Sequence, residues 1–155
     1  MRSREKSFCP WCQGTFRVVG SRKRKMIDND GSVIRLMVRR LQCTSCSRIS
    51  HELPDLIVPY KRHAAATITK ALTEPVTSKK TDTCCENSTI RRWKLWFFLL
   101  RPYLEDSVRA LMELFHCQPF INLPLYPLET QSDGWLELLV RNLVNSGRWR
   151  QTRSA

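Results

Sequence analysis

The sequence predicts an α+β chain in which a small β module precedes an all-α portion. Three observations carry this reading. Two Cys-x-x-Cys pairs, Cys9–Cys12 and Cys43–Cys46, bracket a β-patterned segment. Pro54 and Pro59 bound an extended connector behind it. Beyond Pro59 the apolar residues recur at helical spacing. The expected units are residues 1–55, 59–100 and 101–147, with a flexible tail at 148–155.

The cysteine spacing has a physical cause. Two residues between cysteines let one tight turn aim both sulfurs at a single ion, and a second such turn completes a tetrahedron around Zn²⁺. Cys9, Cys12, Cys43 and Cys46 are therefore the expected zinc ligands. The alternatives are a pair of disulfides or four unrelated core cysteines. Nothing marks the chain as secreted: the first eight residues are charged, and no apolar run reaches the ~18 residues that a membrane span needs. A cytoplasmic, nucleoid-associated location and no membrane partner are expected. Reduced thiols in that compartment favour metal, as does the odd total of seven cysteines.

The β module reads in order. Thr15 to Val19 is a short strand, with Gly20-Ser21 expected to end it. Asp28-Asn29-Asp30-Gly31 is a hairpin turn, since Asp-Gly supplies the positive φ that a tight turn requires. Ser32 to Gln42 is the strongest strand, carrying Arg35, Arg39 and Arg40 into Cys43, and Ile49 to Leu53 returns as a third. Knuckle, hairpin and knuckle together make a zinc ribbon.

Four helical runs and one short helix are expected afterwards. Tyr60 to Leu72 has an apolar stripe of Ala64, Ile68, Ala71 and Leu72. Thr83-Cys84-Cys85-Glu86 has the capping-box form and suits a short helix. Thr89 to about Leu100 places Ile90, Trp93, Phe97 and Leu100 on one face, and the apolar Leu95 and Leu99 on the other imply burial by the C-terminal region. Pro102 is read as opening a new helix, Tyr103 to Phe115, with Phe115 inward. A Pro-rich packed linker, Gln118 to Gln131, leads to a last helix, Gly134 to Val144. The layout over 59–100 is that of a helix-turn-helix, and 101–147 is its helical extension.

The net charge of +12 is distributed unevenly. Residues 1–48 hold twelve Lys/Arg against three acids, whereas residues 101–155 hold six against six. A basic metal-bearing half points to a polyanion, and nucleic acid fits better than membrane because no basic amphipathic anchor accompanies it. Arg22, Lys23, Arg24 and Lys25 are candidate phosphate contacts; a solvated hairpin face is the alternative. Ser88, Thr89, Arg91 and Arg92 open the second helix of the expected helix-turn-helix and are candidate base contacts in duplex DNA. Adjacent Cys84 and Cys85 read as small buried residues of the short helix, and Cys117 stands alone with nothing that marks it as a catalytic thiol. No paired carboxylates, nucleophile–base set or phosphate loop points to an enzyme. A protein adaptor whose ribbon docks on RNA polymerase or a transposase is the rival reading, with RNA binding behind it. In the neutral C-terminal third, plain core and a homodimer surface both remain open.

Residues 8–97 resemble small bacterial proteins, mostly Gram-positive, that are described as transposase-like. The shared segments are Cys9–Cys12, Gly20–Arg24, Arg39–Cys46, His51–Asp55, Pro59–Arg62 and Ser88–Trp93. The resemblance implies a zinc ribbon plus helix-turn-helix, and DNA binding linked to mobile elements. It assigns no reaction. A transposase of the common type needs three carboxylates on a ribonuclease-H-like sheet, and the six acids after residue 100 sit on expected helices or linker.

Overall fold

The computed structural model describes residues 8–74, 84–118 and 120–149. Its architecture is α+β. A three-stranded antiparallel sheet in the order β1-β2-β3 comprises β1 (Phe16–Ile27), β2 (Val33–Cys43) and β3 (Ile49–His51). The helices are α1 (Ala65–Thr73), α2 (Asn87–Phe115) and α3 (Trp135–Asn145), with a 3₁₀ turn at Leu128–Thr130.

Gly20-Ser21 does not end the first strand. Val18 faces Leu41 and Gly20 faces Arg40, so Val19 is an extra residue that the ladder absorbs as a bulge. The basic run Arg22–Lys25 is consequently strand, not loop. The turn forms where Asp-Gly places it. Gly31 takes φ 86°, its N–H donates to the Asp28 carbonyl at 3.1 Å, and the Ser32 N–H donates to Asp30 Oδ1 at 2.8 Å.

Beyond Pro59 the chain first pairs with the sheet. The Ile27 N–H donates to the Arg62 carbonyl and the Ala64 N–H to the Ile27 carbonyl, both at 2.8 Å. Those backbone groups are thus committed to β1, which delays the first helix from the expected Tyr60 to Ala65. Met26, Ile57 and Ala64 form a small buried cluster at this junction, flanked by Ile34 and Leu36.

Pro102 lies inside α2 and does not start a new helix; the expected boundary between residues 100 and 101 falls mid-helix. A proline in a helix interior costs about 3 kcal/mol, through a lost hydrogen bond and a clash. The stripe of Trp93, Phe97, Leu100, Leu104, Val108 and Leu111 runs buried past it on both sides. Each such side chain contributes ~1.5–3 kcal/mol on burial, so continuity wins. The main core joins this stripe to Ile68, Ala71 and Leu72 of α1 and to Trp135, Leu136, Leu139 and Leu143 of α3.

Other expectations change. Cys84 and Cys85 lie in a bend, not a helix, and Thr83 lies outside the described residues, as does the polar loop at 77–82. Leu95 and Leu99 are exposed because α1 and α3 both pack on the other side of α2, and Phe115 at its end is exposed as well. The expected tail is held at its start: Tyr103 donates its hydroxyl to the Arg148 carbonyl at 2.5 Å, and Trp149 packs on Trp96. No helix among the described residues is long and apolar enough to cross a membrane.

Candidate metal centre and basic surface

The two Cys-x-x-Cys turns have the same backbone pattern. In the first, the Cys9 N–H donates to the Gly14 carbonyl at 2.9 Å and the Gln13 N–H to the Cys9 carbonyl at 2.8 Å. In the second, the Cys43 N–H donates to the Arg48 carbonyl at 2.9 Å and the Ser47 N–H to the Cys43 carbonyl at 3.1 Å. The residue after each second cysteine, Gln13 and Ser47, takes φ 59°. Each turn presents two sulfurs on one side, and the sheet brings the turns together through the Phe16–Cys43 pairing and the Thr44 N–H bond to the Thr15 carbonyl at 2.9 Å.

All four Sγ atoms lie within 4.8 Å of one another, with Cys9–Cys46 at 3.6 Å and Cys12–Cys43 at 3.4 Å. None is disulfide-bonded. The expected ligand set is thus gathered at one point, spaced to hold a single metal ion. Backbone donors prepare the sulfurs for deprotonation. The Cys46 N–H, aided by that of Ser45 and opposed by burial, holds the Cys43 thiol down at about 6. Burial raises Cys9, but the N–H groups of Trp11 and Cys12 outweigh it and leave its thiol below the ordinary value. The Gly14 N–H acts the same way on Cys12, but the neighbouring sulfurs, Cys43 first, push that thiol to about 12. Deprotonating all four sulfurs at this separation would require a cation between them.

Gly14 touches the centre directly. A Cβ there would stand 2.5 Å from Ser45 Oγ and 3.0 Å from Cys43 Sγ, so only glycine lets the first turn pass under the second. Arg48 lies over the Trp11 ring at 5.0 Å, bridging the two turns across the rim.

The basic run does not act as one patch. Strand alternation places Arg22 and Arg24 on one face of the sheet and Lys23 and Lys25 on the other. Arg22 faces Val38 and Arg24 faces Leu36, on the side where Arg40 and His51 also stand. The convergence shows in His51, whose protonation is disfavoured by burial and then by Arg40, Arg22 and Arg24. Arg24 is partly engaged, donating Nη2 to the Lys61 carbonyl at 3.0 Å. On the other face Lys25 is opposite Arg35 and Lys23 opposite Met37. Arg40 thus belongs with Arg22 and Arg24. The Asp-Gly turn, which fixes the register from Ile27–Val33 to Gly20–Arg40, is the signal for it, and the reading of Gly20-Ser21 as a strand end conceals it.

Ser88, Arg91 and Arg92 are exposed on the first turns of α2, and Thr89 is half-buried. Ser88 donates its hydroxyl to Glu86 Oε2 at 3.3 Å, and Arg92 Nε donates to the Ser88 carbonyl at 3.4 Å. The bend at Cys84 meets the hairpin instead of a metal: its thiol donates to the Asp28 carbonyl at 3.4 Å. Cys117 is exposed and apart from the cluster.

A family model described as a domain of unknown function (DUF6431) matches residues 9–93, and the chain belongs to that family. The match opens on the first cysteine and closes on Trp93, taking in both turns, the sheet, α1 and the start of α2. No curated protein and no solved structure matches the chain.

Proposed function

We propose that this member of the family is a zinc-stabilised, double-stranded DNA-binding protein without a catalytic domain, acting in transcription control or beside a transposase. Its sheet is read as a zinc ribbon. A tetrahedron with Zn–S bonds of ~2.3 Å has S···S edges of about 3.8 Å, close to the separations of the Cys9–Cys46 and Cys12–Cys43 pairs. An all-thiolate set with no oxygen donor is the chemistry of structural zinc. Bound metal would tie the two turns together, where the sheet has few buried apolar side chains of its own.

The observation that carries the nucleic-acid reading is unneutralised charge on a stiff hairpin. Strands β1 and β2 hold Arg17, Arg22, Lys23, Arg24, Lys25, Arg35, Arg39 and Arg40. Among the described residues, the one ion pair on them joins Arg39 to Glu52. Cations left without acidic partners on both faces fit phosphates, whose condensed counterions they release. Of the four, Arg22, Lys23 and Lys25 are exposed, and Arg24 is partly engaged. Ser88, Thr89, Arg91 and Arg92 remain the proposed base contacts, with α1 and α2 as the two helices of the proposed helix-turn-helix and the bend at Cys84 and Cys85 in place of a short helix before α2.

The rival reading, an adaptor docking on RNA polymerase or a transposase, draws on the exposed Trp11 and Phe8 beside the metal turns. Fluorescence anisotropy of the zinc-loaded chain on random duplex, single strand and RNA across a salt series separates the two. Duplex preference with a steep log–log salt slope, lost on chelation, supports DNA binding. Equal and weak binding to all three removes it.

A further inference from the structure

The exposed side of α2 forms a continuous seam opposite the buried stripe. Residues 91, 92, 95, 98, 99, 102 and 106 fall within one face of the helix, at spacings of three and four. Leu95 is 58%, Phe98 64% and Leu99 69% exposed. Ordinary surfaces scatter such residues singly; here three adjoin, with exposed Pro102 continuing them. Arg91 and Arg92 stand at the N-terminal end of the seam. Asp106, its side chain 77% exposed and paired with Arg109 Nη1 of its own helix at 3.0 Å, stands at the other, in the kind of surface pair that is weak and open to exchange.

This order, basic end, apolar middle, acidic end, is complementary to itself when reversed. We propose that a second copy of this chain docks on α2, the two helices packing antiparallel about a centre at Phe98 and Leu99. An antiparallel pair related by a two-fold axis sets the arginine end of each helix against the Asp106 end of the other and buries both apolar middles. The seam from residue 91 to 106 is about 22 Å long at 1.5 Å per residue, the reach of an ordinary helix-pair contact. Leu95, Phe98 and Leu99 expose on the order of 350 Å², nearly half of the ~800 Å² that each partner buries in a stable complex. The flanking charged residues and Tyr126, which shares Arg101 with Phe98 at ring distances of 5.5 and 5.7 Å, extend it.

The dimer does not depend on the DNA reading. Where that reading holds, Arg91 and Arg92 serve both contacts, so dimer and duplex exclude one another at α2. The test is sedimentation of the zinc-loaded full chain without nucleic acid, at moderate salt to screen the basic ribbon. The unmodified chain should show concentration-dependent dimerisation in roughly the micromolar range. Leu99→Glu should weaken it by about tenfold or more, with an unchanged melting temperature at concentrations where both chains are monomeric, because the site is exposed there. Asp106→Arg should also weaken it, and combining it with Arg91→Glu and Arg92→Glu should restore it, since both ends then reverse together. A chain that stays monomeric to about 100 μM overturns the proposal. So does a dimer indifferent to Leu99→Glu, or one that the triple charge reversal fails to rescue.

Discussion

The hydroxyl of Thr67, a fully buried residue in the first turn of α1, donates to Oδ1 of Asn29 at the tip of the β1–β2 hairpin. The bond joins residues 38 apart in sequence and, with the Cys84–Asp28 contact, seats the hairpin turn on the helical portion. The sheet is therefore anchored at both ends: by the cysteine turns at one and by α1 at the other. Thr67→Val keeps the shape and removes the donor. It should lower stability by about 1–2 kcal/mol. A double-mutant cycle with Asn29→Ala, read by urea denaturation, should return about 0.5–1.5 kcal/mol of coupling. A cycle that closes to zero would mean the hairpin tip is not held there.

Metal removal should act unequally on the two portions. Val18, Val19, Val33, Met37 and Ile49 of the sheet are exposed, while α1, α2 and α3 share a continuous apolar core. A zinc chelator should therefore abolish amide protection in β1 and β2 near Cys43 and leave the buried stripe of α2 protected. Hydrogen exchange followed by mass spectrometry reads this directly. Metal analysis should find one zinc per chain, lost in Cys9→Ser and Cys43→Ser alike. Uniform loss of protection would show instead that the helices depend on the metal.

Gly14 offers a sharper test of the centre, because it is not a ligand. A methyl group at this position meets Cys43 Sγ and the Ser45 side chain at or below 3.0 Å, so Ser45 must rotate and the second turn must shift by a few tenths of an ångström at a ligand sulfur. Gly14→Ala should lower zinc affinity by roughly 10–100-fold, the usual effect of disturbing a ligand's immediate support. Competition against a chromophoric chelator measures it. Unchanged affinity would place the first turn farther from the second than the structure has it.

These cases show what was legible in the sequence. The cysteine turns were, because ligand spacing is local and both turns close within six residues. The hairpin was, because Asp30-Gly31 names its own backbone angles. Gly20 misled, since a glycine that reads as a strand end is equally at home in a bulge. Helical periodicity failed on α2 for a different reason. Leu95 and Leu99 are as apolar as Phe97 and Leu100, and only the placement of α1 and α3 decides which stripe is covered. Nor does spacing reveal that alternation splits Arg22 and Arg24 from Lys23 and Lys25, until the strand is known to continue through them.

That split has a measurable consequence for the proposed DNA contact. Each phosphate contact contributes about −0.9 to the slope of log K against log salt. Arg22→Ala and Lys23→Ala stand on opposite faces, and a duplex lying against one face meets only one of them. One of the two substitutions should reduce the slope by about one and the other leave it nearly unchanged. Equal reductions from both would mean that the hairpin enters a groove edge-on. Arg91→Ala and Arg92→Ala should instead relax discrimination among sequences, at about 1–3 kcal/mol for a bidentate base contact.

Pro102 tests the continuity of α2. Within a single helix its ring displaces an N–H that would bond the Phe98 carbonyl, one turn back on the exposed side. Pro102→Ala should then restore that bond without disturbing the core, since residue 102 is itself exposed. Stability should rise by roughly 1–3 kcal/mol, visible as a higher melting temperature. Two separate helices with Pro102 at the start of the second give the opposite sign, because proline is favourable at a first helical position and alanine there recovers no bond. The direction of the shift alone distinguishes one helix of 29 residues from two.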